Sequence, residues 1–322
     1  MKKLMSLTKI IFLAITLLST ISCVDDDDNG NIIDNSIPNS IIDFLGNNEE
    51  YSTLLAAINQ TGITATLAGA GPFTLFAPNN EAFETFLGGT ALEDMDNEVL
   101  TQILLNHVLN FSVESEGLSS GYIKNLAIET TTEANLDMYI DTSSGILING
   151  ISTVTMPDID VDNGILHMVD TVIGLPDITT FIMVDPSFST LATALTADES
   201  FTYIETLQTS ASTTPAPFTL LAPDNSAFES LFTDLEIENL SEIDTNLLTT
   251  TLDLHIIEGS FIRTDTFNEF EGENITTSGG AVVTVQDSPA IVIGLDGEEN
   301  PISIPDTQAV NGVIHTLSRV IR

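Results

Sequence analysis

One short motif occurs twice in this chain and constrains the fold more than any other feature. Residues 73–83 read FTLFAPNNEAF, and residues 218–228 read FTLLAPDNSAF. In each copy a short apolar run ends at a proline, and the residue after the proline, Asn79 or Asp224, is a favoured helix N-cap. The sequence therefore predicts the same strand-to-helix unit twice, and 322 residues give room for two domains.

The helix after each proline has the apolar spacing of one buried face. Three residues follow the i, i+3, i+4 pattern in each copy, as expected for a helix that packs on a core. They are Phe83, Phe86 and Leu87 in the first copy, and Phe228, Leu231 and Phe232 in the second. This unit builds a fold, and it contains no nucleophile, general base or metal ligand set.

Two further motifs follow in the same order in both copies. A second helix ends in a histidine, His107 or His255. Each copy then closes on an alternating strand that begins with Asn-Gly, at residues 163–164 and 311–312. We expect the Asn-Gly pair to supply a positive-φ turn before the closing strand.

These three motifs, in this order and twice over, resemble those of fasciclin domains. The resemblance covers about residues 38–322 and implies an α+β fold, in which each domain is a wedge of two β-sheets with helices packed on one side. It places one fasciclin-like domain at residues 38–177 and the other at 178–322. It also implies extracellular adhesion or association with matrix and surface proteins, without catalysis.

Residues 1–22 predict a secretory signal peptide, because basic residues precede an apolar run that is too short to span a bilayer. The end of this segment, Thr20-Ile21-Ser22-Cys23, resembles the bacterial lipobox, in which the cysteine receives the lipid. We therefore expect Cys23 to be the lipidated N-terminus and the link to the membrane. A free cysteine beside an ordinary cleavage site is the alternative.

Residues 23–37 predict a flexible tether, since they include four consecutive aspartates, Asp25–Asp28, and too few apolar side chains to form a core. An acidic run just after the lipidated cysteine resembles the signal that sends lipoproteins of Bacteroidetes-type bacteria to the cell surface. We expect an outer-membrane, lipid-anchored protein exposed at the surface. Retention on the periplasmic face is the alternative.

The charge balance excludes one class of partner. The formal net charge is -40, and three of the seven basic residues lie in residues 1–22, which contain no acid. The rest of the chain has 4 basic against 47 acidic residues, so it would repel nucleic acid. The acids are best interpreted as a solvated surface, because no run of them keeps the pattern of a metal loop.

The four histidines, His107, His167, His255 and His315, are candidates for metal binding or catalysis. No acid or cysteine recurs at matched ligand spacing beside them, and no Gly-x-Ser-x-Gly motif accompanies them. We interpret all four as structural, with each imidazole bonding backbone groups inside the fold. The sequence thus predicts no enzyme, no cofactor and no transition-metal site.

The residues before the first closing strand are the other candidates. Asp158, Asp160 and Asp162 alternate, but the following glycine and Val169 do not fit an EF-hand. Alternation predicts all three carboxylates on one strand face, which leaves a weak cation site open. Asp158 and Ile159 also occupy the place of an Asp-Ile pair proposed for integrin recognition in animal fasciclin domains; a strand pair with Ile159 buried is the alternative.

Two functions from different classes follow. The first is adhesion, in which the paired domains bind an extracellular matrix polymer or another surface protein. The second is an accessory glycan-binding lipoprotein of a polysaccharide-uptake system. Sugar platforms usually need exposed aromatic faces, and this chain has no tryptophan and four tyrosines, which favours the first.

Overall fold

The computed structural model describes residues 39–322, and these form one compact unit. It contains two copies of the same α+β arrangement, as the repeated motifs predicted. The helices are α1 (Ile41–Asn47), α2 (Ser52–Thr61), α3 (Thr64–Leu67), α4 (Asn80–Leu87) and α5 (Asn97–Asn106), then α6 (Ile178–Val184), α7 (Ser189–Leu195), α8 (Tyr203–Leu207), α9 (Asn225–Leu235), α10 (Thr245–Asp253) and α11 (Phe267–Phe270). The predictions for the signal peptide, Cys23 and the tether lie outside the described residues.

Seven strands belong to each copy, and short 3-10 turns connect several elements. The first copy has β1 (Phe73–Pro78), β2 (Val108–Leu109), β3 (Gly121–Ile128), β4 (Asn135–Asp141), β5 (Leu147–Ile148), β6 (Ser152–Val161) and β7 (Gly164–Val169). The second has β8 (Phe218–Pro223), β9 (Ile256–Glu258), β10 (Ile275–Thr276), β11 (Val282–Gln286), β12 (Ile291–Ile293), β13 (Glu299–Ala309) and β14 (Gly312–Leu317).

Each copy pairs its motif strand with its closing strand. The hydrogen-bonded order is β2-β1-β7-β6-β5-β4-β3 in the first copy and β10-β11-β12-β13-β14-β8-β9 in the second. β1 lies parallel to β7, and β8 lies parallel to β14, whereas the other neighbours are antiparallel. The two sequence motifs of a copy therefore lie side by side inside its sheet.

The strand before the closing strand belongs to two halves of the sheet. Ser152 and Thr153 of β6 pair with β5, whereas residues 154–161 pair with β7. Register shifts lie on both sides of Met156, and β13 has similar shifts in the second copy. Bulges of this kind bend a strand and increase its twist. Each copy thus has one seven-stranded sheet whose two halves share a strand, and together with the helices this agrees with the predicted α+β class.

The motif strand is apolar except at Thr74 or Thr219, because it lies between two cores. Leu75 and Ala77 contact the core beneath the helices, whereas Phe76 contacts a second core formed by residues of the strands and their connections. In the second copy, Leu221 of β8 takes the position of Phe76 between the sheet halves. A strand buried on both faces gives a continuous apolar run rather than an alternating one.

The helix that follows the motif strand begins as predicted. The side chains of Asn79 and Asp224 each accept a hydrogen bond of 2.8 Å from the backbone N–H three residues later. Phe83 and Phe228, the first residues of the predicted apolar faces, are fully buried. The prediction of both N-caps is therefore confirmed.

A turn precedes each closing strand, at residues 162–163 and 310–311. The expected positive φ is wrong, however, because neither Gly164 nor Gly312 has one. The glycines are required for a close approach instead. A Cβ on Gly164 would lie 2.1 Å from the Phe73 carbonyl oxygen, and one on Gly312 would lie 2.7 Å from the Phe218 oxygen. The lack of a side chain therefore lets the closing strand begin against the motif strand.

The asparagine of each pair joins distant parts of its copy. Asn163 Oδ1 accepts the Ile41 N–H at 2.9 Å, and Nδ2 donates to the carbonyl oxygens of Leu67 at 2.7 Å and Gly69 at 2.8 Å. In the second copy Asn311 makes the equivalent bonds to Ile178 N–H at 3.0 Å, Leu207 O at 2.7 Å and Thr209 O at 2.9 Å. The side chain thus holds the first helix and α3 or α8 at the start of the closing strand.

Candidate functional site

Asp158, the first residue of the predicted interaction pair, lies in the bulge of β6 with a φ of 62°. Its Oδ1 accepts the Ser115 N–H at 2.6 Å, and its Oδ2 accepts the Ser115 hydroxyl at 2.5 Å. These bonds, chiefly that from the hydroxyl, lower the pKa of Asp158. Both carboxylate oxygens are therefore bonded within the protein, although the side chain is 38% exposed.

The predicted alternation of three carboxylates is wrong at Asp158, because the bulge breaks the period of two and Asp158 bonds Ser115. Asp160 is exposed, and Asp162 accepts the Asn39 N–H at 2.9 Å. Ile159 is half-buried and packs on the core beneath the helices. Within residues 39–322, no three His, Cys, Asp or Glu side chains are placed to hold a metal ion.

The second copy repeats the aspartate but not the isoleucine. Asp306 has a φ of 57°, accepts the Thr264 N–H at 2.9 Å and also accepts the Thr264 hydroxyl. Its neighbour is Thr307, which is buried. The shared geometry gives the aspartate a structural role in both copies, namely to hold the segment that follows β2 or β9. A role of Asp158 and Ile159 in partner recognition stays a prediction.

The histidine of the closing strand holds the same segment. His167 Nδ1 accepts the Asp158 N–H at 3.2 Å, and Nε2–H donates to the Val113 carbonyl at 3.0 Å. His315 makes the equivalent bonds to Asp306 N–H at 3.3 Å and Ile262 O at 2.7 Å. Burial lowers the pKa of both rings, which suits a neutral imidazole with its proton on Nε2.

The histidine that follows α5 or α10 joins that helix, by hydrogen bonds, to the end of its copy. His107 Nδ1–H donates to Ile103 O at 2.7 Å, and Nε2 accepts the Ile173 N–H at 2.9 Å. His255 makes the equivalent bonds to Thr251 O at 2.7 Å and Ile321 N–H at 3.1 Å. Burial lowers the pKa of each ring to about 4. All four histidines therefore bond backbone groups, as predicted.

A buried polar cluster joins the two copies. Asp137 of β4 is 4% exposed, and its Oδ2 accepts bonds from Lys124 Nζ at 2.5 Å and from the Gln308 N–H at 2.6 Å. Lys124 also donates to the Asp306 carbonyl at 3.2 Å, and Arg263 donates to Gln308 Oε1 at 2.6 Å. Burial raises the pKa of Asp137 and outweighs the opposing effect of Lys124.

Aromatic side chains extend this junction into the core of the second copy. The Tyr122 hydroxyl donates to Asp185 Oδ2 at 2.9 Å. Its ring lies edge-on to Tyr139 and Phe181, at centroid distances of 5.2 Å and 5.3 Å. Tyr139, a residue of the first copy, packs within the helix-side core of the second. The two copies thus share buried apolar and polar contacts.

Sequence reasoning missed this junction, although one signal was present. Only four basic residues follow residue 22 in an otherwise acidic chain, and two of them, Lys124 and Arg263, lie at the junction. A rare cation amid many acids is a reasonable candidate for a buried ion pair. Its partner could not be predicted, because Asp137 and Gln308 are distant in sequence.

Cys23, the predicted lipid attachment residue, lies outside the described part of the chain. Among residues 39–322, no single helix is long and apolar enough to cross a membrane. One pair of helical segments with a sharp bend between them, Ile178–Val184 and Pro186–Leu195, is long and apolar enough together, by length and composition only.

Each copy is a sheet whose two halves share a strand and which is covered by helices, and the two copies follow one another in the chain. This arrangement is that of a fasciclin domain pair. A solved fasciclin domain pair, from the insect cell adhesion molecule fasciclin I, matches 86% of this chain and 98% of its own with a TM-score of 0.53 and 16% identity. The family model for the fasciclin domain matches residues 49–176 and 186–322, and the chain belongs to this family.

Relatives with fasciclin domains differ widely in length. Periostin of Homo sapiens is 29% identical over 288 residues, which cover 89% of this chain and 31% of periostin. Protein sll1483 of Synechocystis is 32% identical over 140 residues, which cover 42% of this chain and 74% of that protein. The chain therefore resembles less than a third of periostin, and a cyanobacterial protein matches a single copy.

Proposed function

We propose that this protein is a non-catalytic surface lipoprotein that mediates adhesion. Its paired fasciclin domains bind a matrix polymer or another surface protein. The observation that carries the proposal is that both copies use their histidines and the bulge aspartate in bonds to the backbone. The side chains most suited to chemistry are therefore committed to holding the fold, and the surface of the pair is left for recognition.

Family membership supports the same conclusion. The solved domain pair with this fold comes from an insect cell adhesion molecule. Two domains on one chain also allow avidity, since weak sites held at a fixed distance raise each other's effective concentration. The junction at Asp137 and Tyr122 supports such a fixed distance, because it buries contacts between the copies.

The location is part of the proposal. A lipid on Cys23 would anchor the chain in the outer membrane, and the acidic tether would hold the domains away from it at the cell surface. Cys23→Ala is expected to move the protein from the membrane fraction to the soluble or secreted fraction. Retention of the variant in the membrane as firmly as the parent would contradict the anchor.

Surface exposure needs its own measurement. Protease added to intact cells is expected to degrade the parent protein but to spare a periplasmic control lipoprotein. Protection of the protein until the outer membrane is permeabilised would place it on the periplasmic face instead.

The function is tested by comparing a gene-deletion strain with its parent for attachment to matrix-coated surfaces and for growth on purified polysaccharides. We expect weaker attachment, restored by the wild-type gene, and unchanged growth. Normal attachment with a growth defect on one polysaccharide would instead support the accessory glycan-binding function.

A further inference from the structure

A groove of about 480 Å³ opens where the two copies meet, on the side of α5. Its apolar lining comes from both copies and from the link between them: Val99 of α5, Ile128 at the end of β3, Leu175, Ala211 and Val310. The Val310 N–H donates to the Pro176 carbonyl at 2.8 Å, which fixes the second copy against the link. The groove therefore depends on the pair, because neither copy supplies all of its walls.

The apolar part of the groove is open to solvent at Val99, which is 47% exposed. A volume of this size lies within the range of natural ligand sites, about 300–1,000 Å³. It is large enough for a few side chains of a bound peptide. None of the residues that line it is aromatic, which disfavours a stacked sugar ring.

An acidic shelf continues from the groove along the start of α5. A second depression shares Asn97 and Glu98 with the groove, and Glu93 and Asp96 also line it. The three acidic side chains, Glu93, Asp96 and Glu98, are exposed. None of them forms an ion pair within residues 39–322.

The basic residues of the described chain are committed elsewhere. Lys124 pairs with Asp137, Arg263 with Asp265 and Asp306, Arg319 with Glu298, and Arg322 with Asp234. None of these four cations lines the groove or the shelf. An incoming cation would therefore meet negative potential at the shelf without competition from the protein's own basic side chains.

We propose that the groove and shelf dock a peptide segment of a partner protein in which a lysine or arginine adjoins an aliphatic or aromatic side chain. The apolar side chain enters the groove, and the cation lies over the shelf. This inference rests on the proposed function, since it names the class of surface protein that would be bound. Charge complementarity and the apolar walls together favour this occupant over an anionic lipid or a neutral glycan.

The test uses the whole chain, purified from membranes in a mild non-ionic detergent, and short fluorescein-labelled peptides read by anisotropy. One peptide combines lysine with leucine, a second lysine with serine, a third glutamate with leucine, and a fourth serine with leucine. We expect the lysine–leucine peptide to bind most tightly, and the glutamate–leucine peptide to show no binding. Raising the salt to 1 M should weaken binding, because the Debye length falls to about 3 Å.

Matched variants distinguish binding of the peptide in the groove from a general attraction of a basic peptide to an acidic protein. Val99→Gln should weaken binding of the lysine–leucine peptide about tenfold, as expected when about 1.4 kcal/mol of apolar contact is lost. Leu247→Gln is the control, because Leu247 is the third residue of α10 as Val99 is of α5, and it is 50% exposed. Glu98→Gln should weaken binding about threefold, whereas Glu238→Gln, on the surface of the second copy, should not.

Three outcomes would overturn the inference. They are equal binding of the lysine–serine and lysine–leucine peptides, equal losses in Val99→Gln and Leu247→Gln, and binding of a neutral oligosaccharide that Val99→Gln weakens while the peptides fail to bind. The proposed function is judged separately by the deletion strain. If cells with Val99→Gln attach like the parent while deletion cells do not, the groove is not the adhesive site and the adhesion proposal stands.

Discussion

The two copies share one set of polar side chains that hold the backbone, but other buried polar side chains belong to one copy only. Asn163 and Asn311 make equivalent bonds, and the same holds for the histidine pairs. By contrast, Asn106 at the end of α5 is buried and bonds Asn125, whereas its counterpart Leu254 packs in an apolar core.

This difference has a physical reason. A side chain that satisfies several buried backbone groups cannot be exchanged without leaving donors or acceptors unpaired, which costs more than the bonds contribute. Asn106 also bonds backbone groups, since its Nδ2 donates to the carbonyl oxygens of Ile173 at 3.2 Å and Gly174 at 3.0 Å, but the second copy has the apolar Leu254 at this position. The positions that are equal in both copies therefore indicate the requirements of the fold, and the positions that differ indicate where each copy could acquire its own partner.

The largest effect is expected from acid. Burial lowers the pKa of His107 and His255 to about 4, below the value near 6.5 of an unfolded chain. Above pH 6.5 these neutral rings cost the folded state no stability. As the pH falls from 6.5 toward 4, the folded state is destabilised, because the unfolded state then binds protons that the folded state excludes. Each ring should cost about 3 kcal/mol of unfolding free energy over that range, which makes about 6 kcal/mol for the two rings together.

Denaturant unfolding at several pH values measures this loss, with His107→Gln as the comparison. The variant should be less stable at pH 7 and should lose less stability than the parent between pH 6.5 and 4. An equal pH dependence in parent and variant would show that His107 does not titrate as its burial requires.

The next effect concerns the asparagines before the closing strands. Asn163→Ala and Asn311→Ala each remove three hydrogen bonds to the backbone and leave those groups buried. We expect each to lower the unfolding free energy by about 3–5 kcal/mol. Thermal or denaturant unfolding gives the values, and Asn246→Ala on the exposed face of α10 is the control. A large loss of unfolding free energy in only one of the two asparagine variants would show that the two copies are not equivalent at this position.

A smaller effect is expected at the junction. Asp137→Asn removes the charge that accepts bonds from Lys124 and the Gln308 N–H. The loss should be about 1–3 kcal/mol, because Lys124 is half exposed and regains water. We expect calorimetry to show a single transition in the parent and, in the variant, two copies that begin to melt separately. A single transition with unchanged midpoint would show that the cluster does not couple them.

The smallest effect is expected at the bulge aspartates. Asp158→Asn and Asp306→Asn keep a side chain that tolerates positive φ and that still accepts one bond, so each should cost about 1 kcal/mol. Asp306 should lose more, since its side chain is 18% exposed against 38% for Asp158. If Asp158→Asn keeps its stability but abolishes attachment, the predicted recognition role of Asp158 and Ile159 would be supported.

Much of the fold could be predicted because its signals are local. The N-caps at Asn79 and Asp224 and the faces through Phe83 and Phe228 depend on residues within one or two turns. The Asn-Gly pair was misjudged for the opposite reason. Gly164 is needed because Phe73 lies against it, and such a close approach of distant residues leaves no local pattern.

The candidate site was harder to predict than the fold. A strict alternation through Asp158 and Asp160 fails because a bulge lies between Met156 and Ile159. Pro157 was the local signal that the alternation did not take into account, since a proline within a strand is confined to edges and bulges. The groove at Val99 was not predicted at all, since three of its walls come from residues 175, 211 and 310. A sequence pattern predicts which side chains a helix exposes, but it does not predict which part of another domain packs beside them.

The asparagine before each closing strand also has a mechanical consequence. Tension applied to the ends of the pair enters the copies at Ile41 and Ile178, the residues whose N–H groups Asn163 and Asn311 hold. While those bonds hold, part of the force passes directly from the entrance of a copy to its closing strand, and the intervening helices and strands carry less load. Backbone bonds from Asp162 to Asn39 and from Val310 to Pro176 lie at the same two points. Each copy thus behaves as a loop closed where it begins, and single-molecule stretching should find its first yield at that closure.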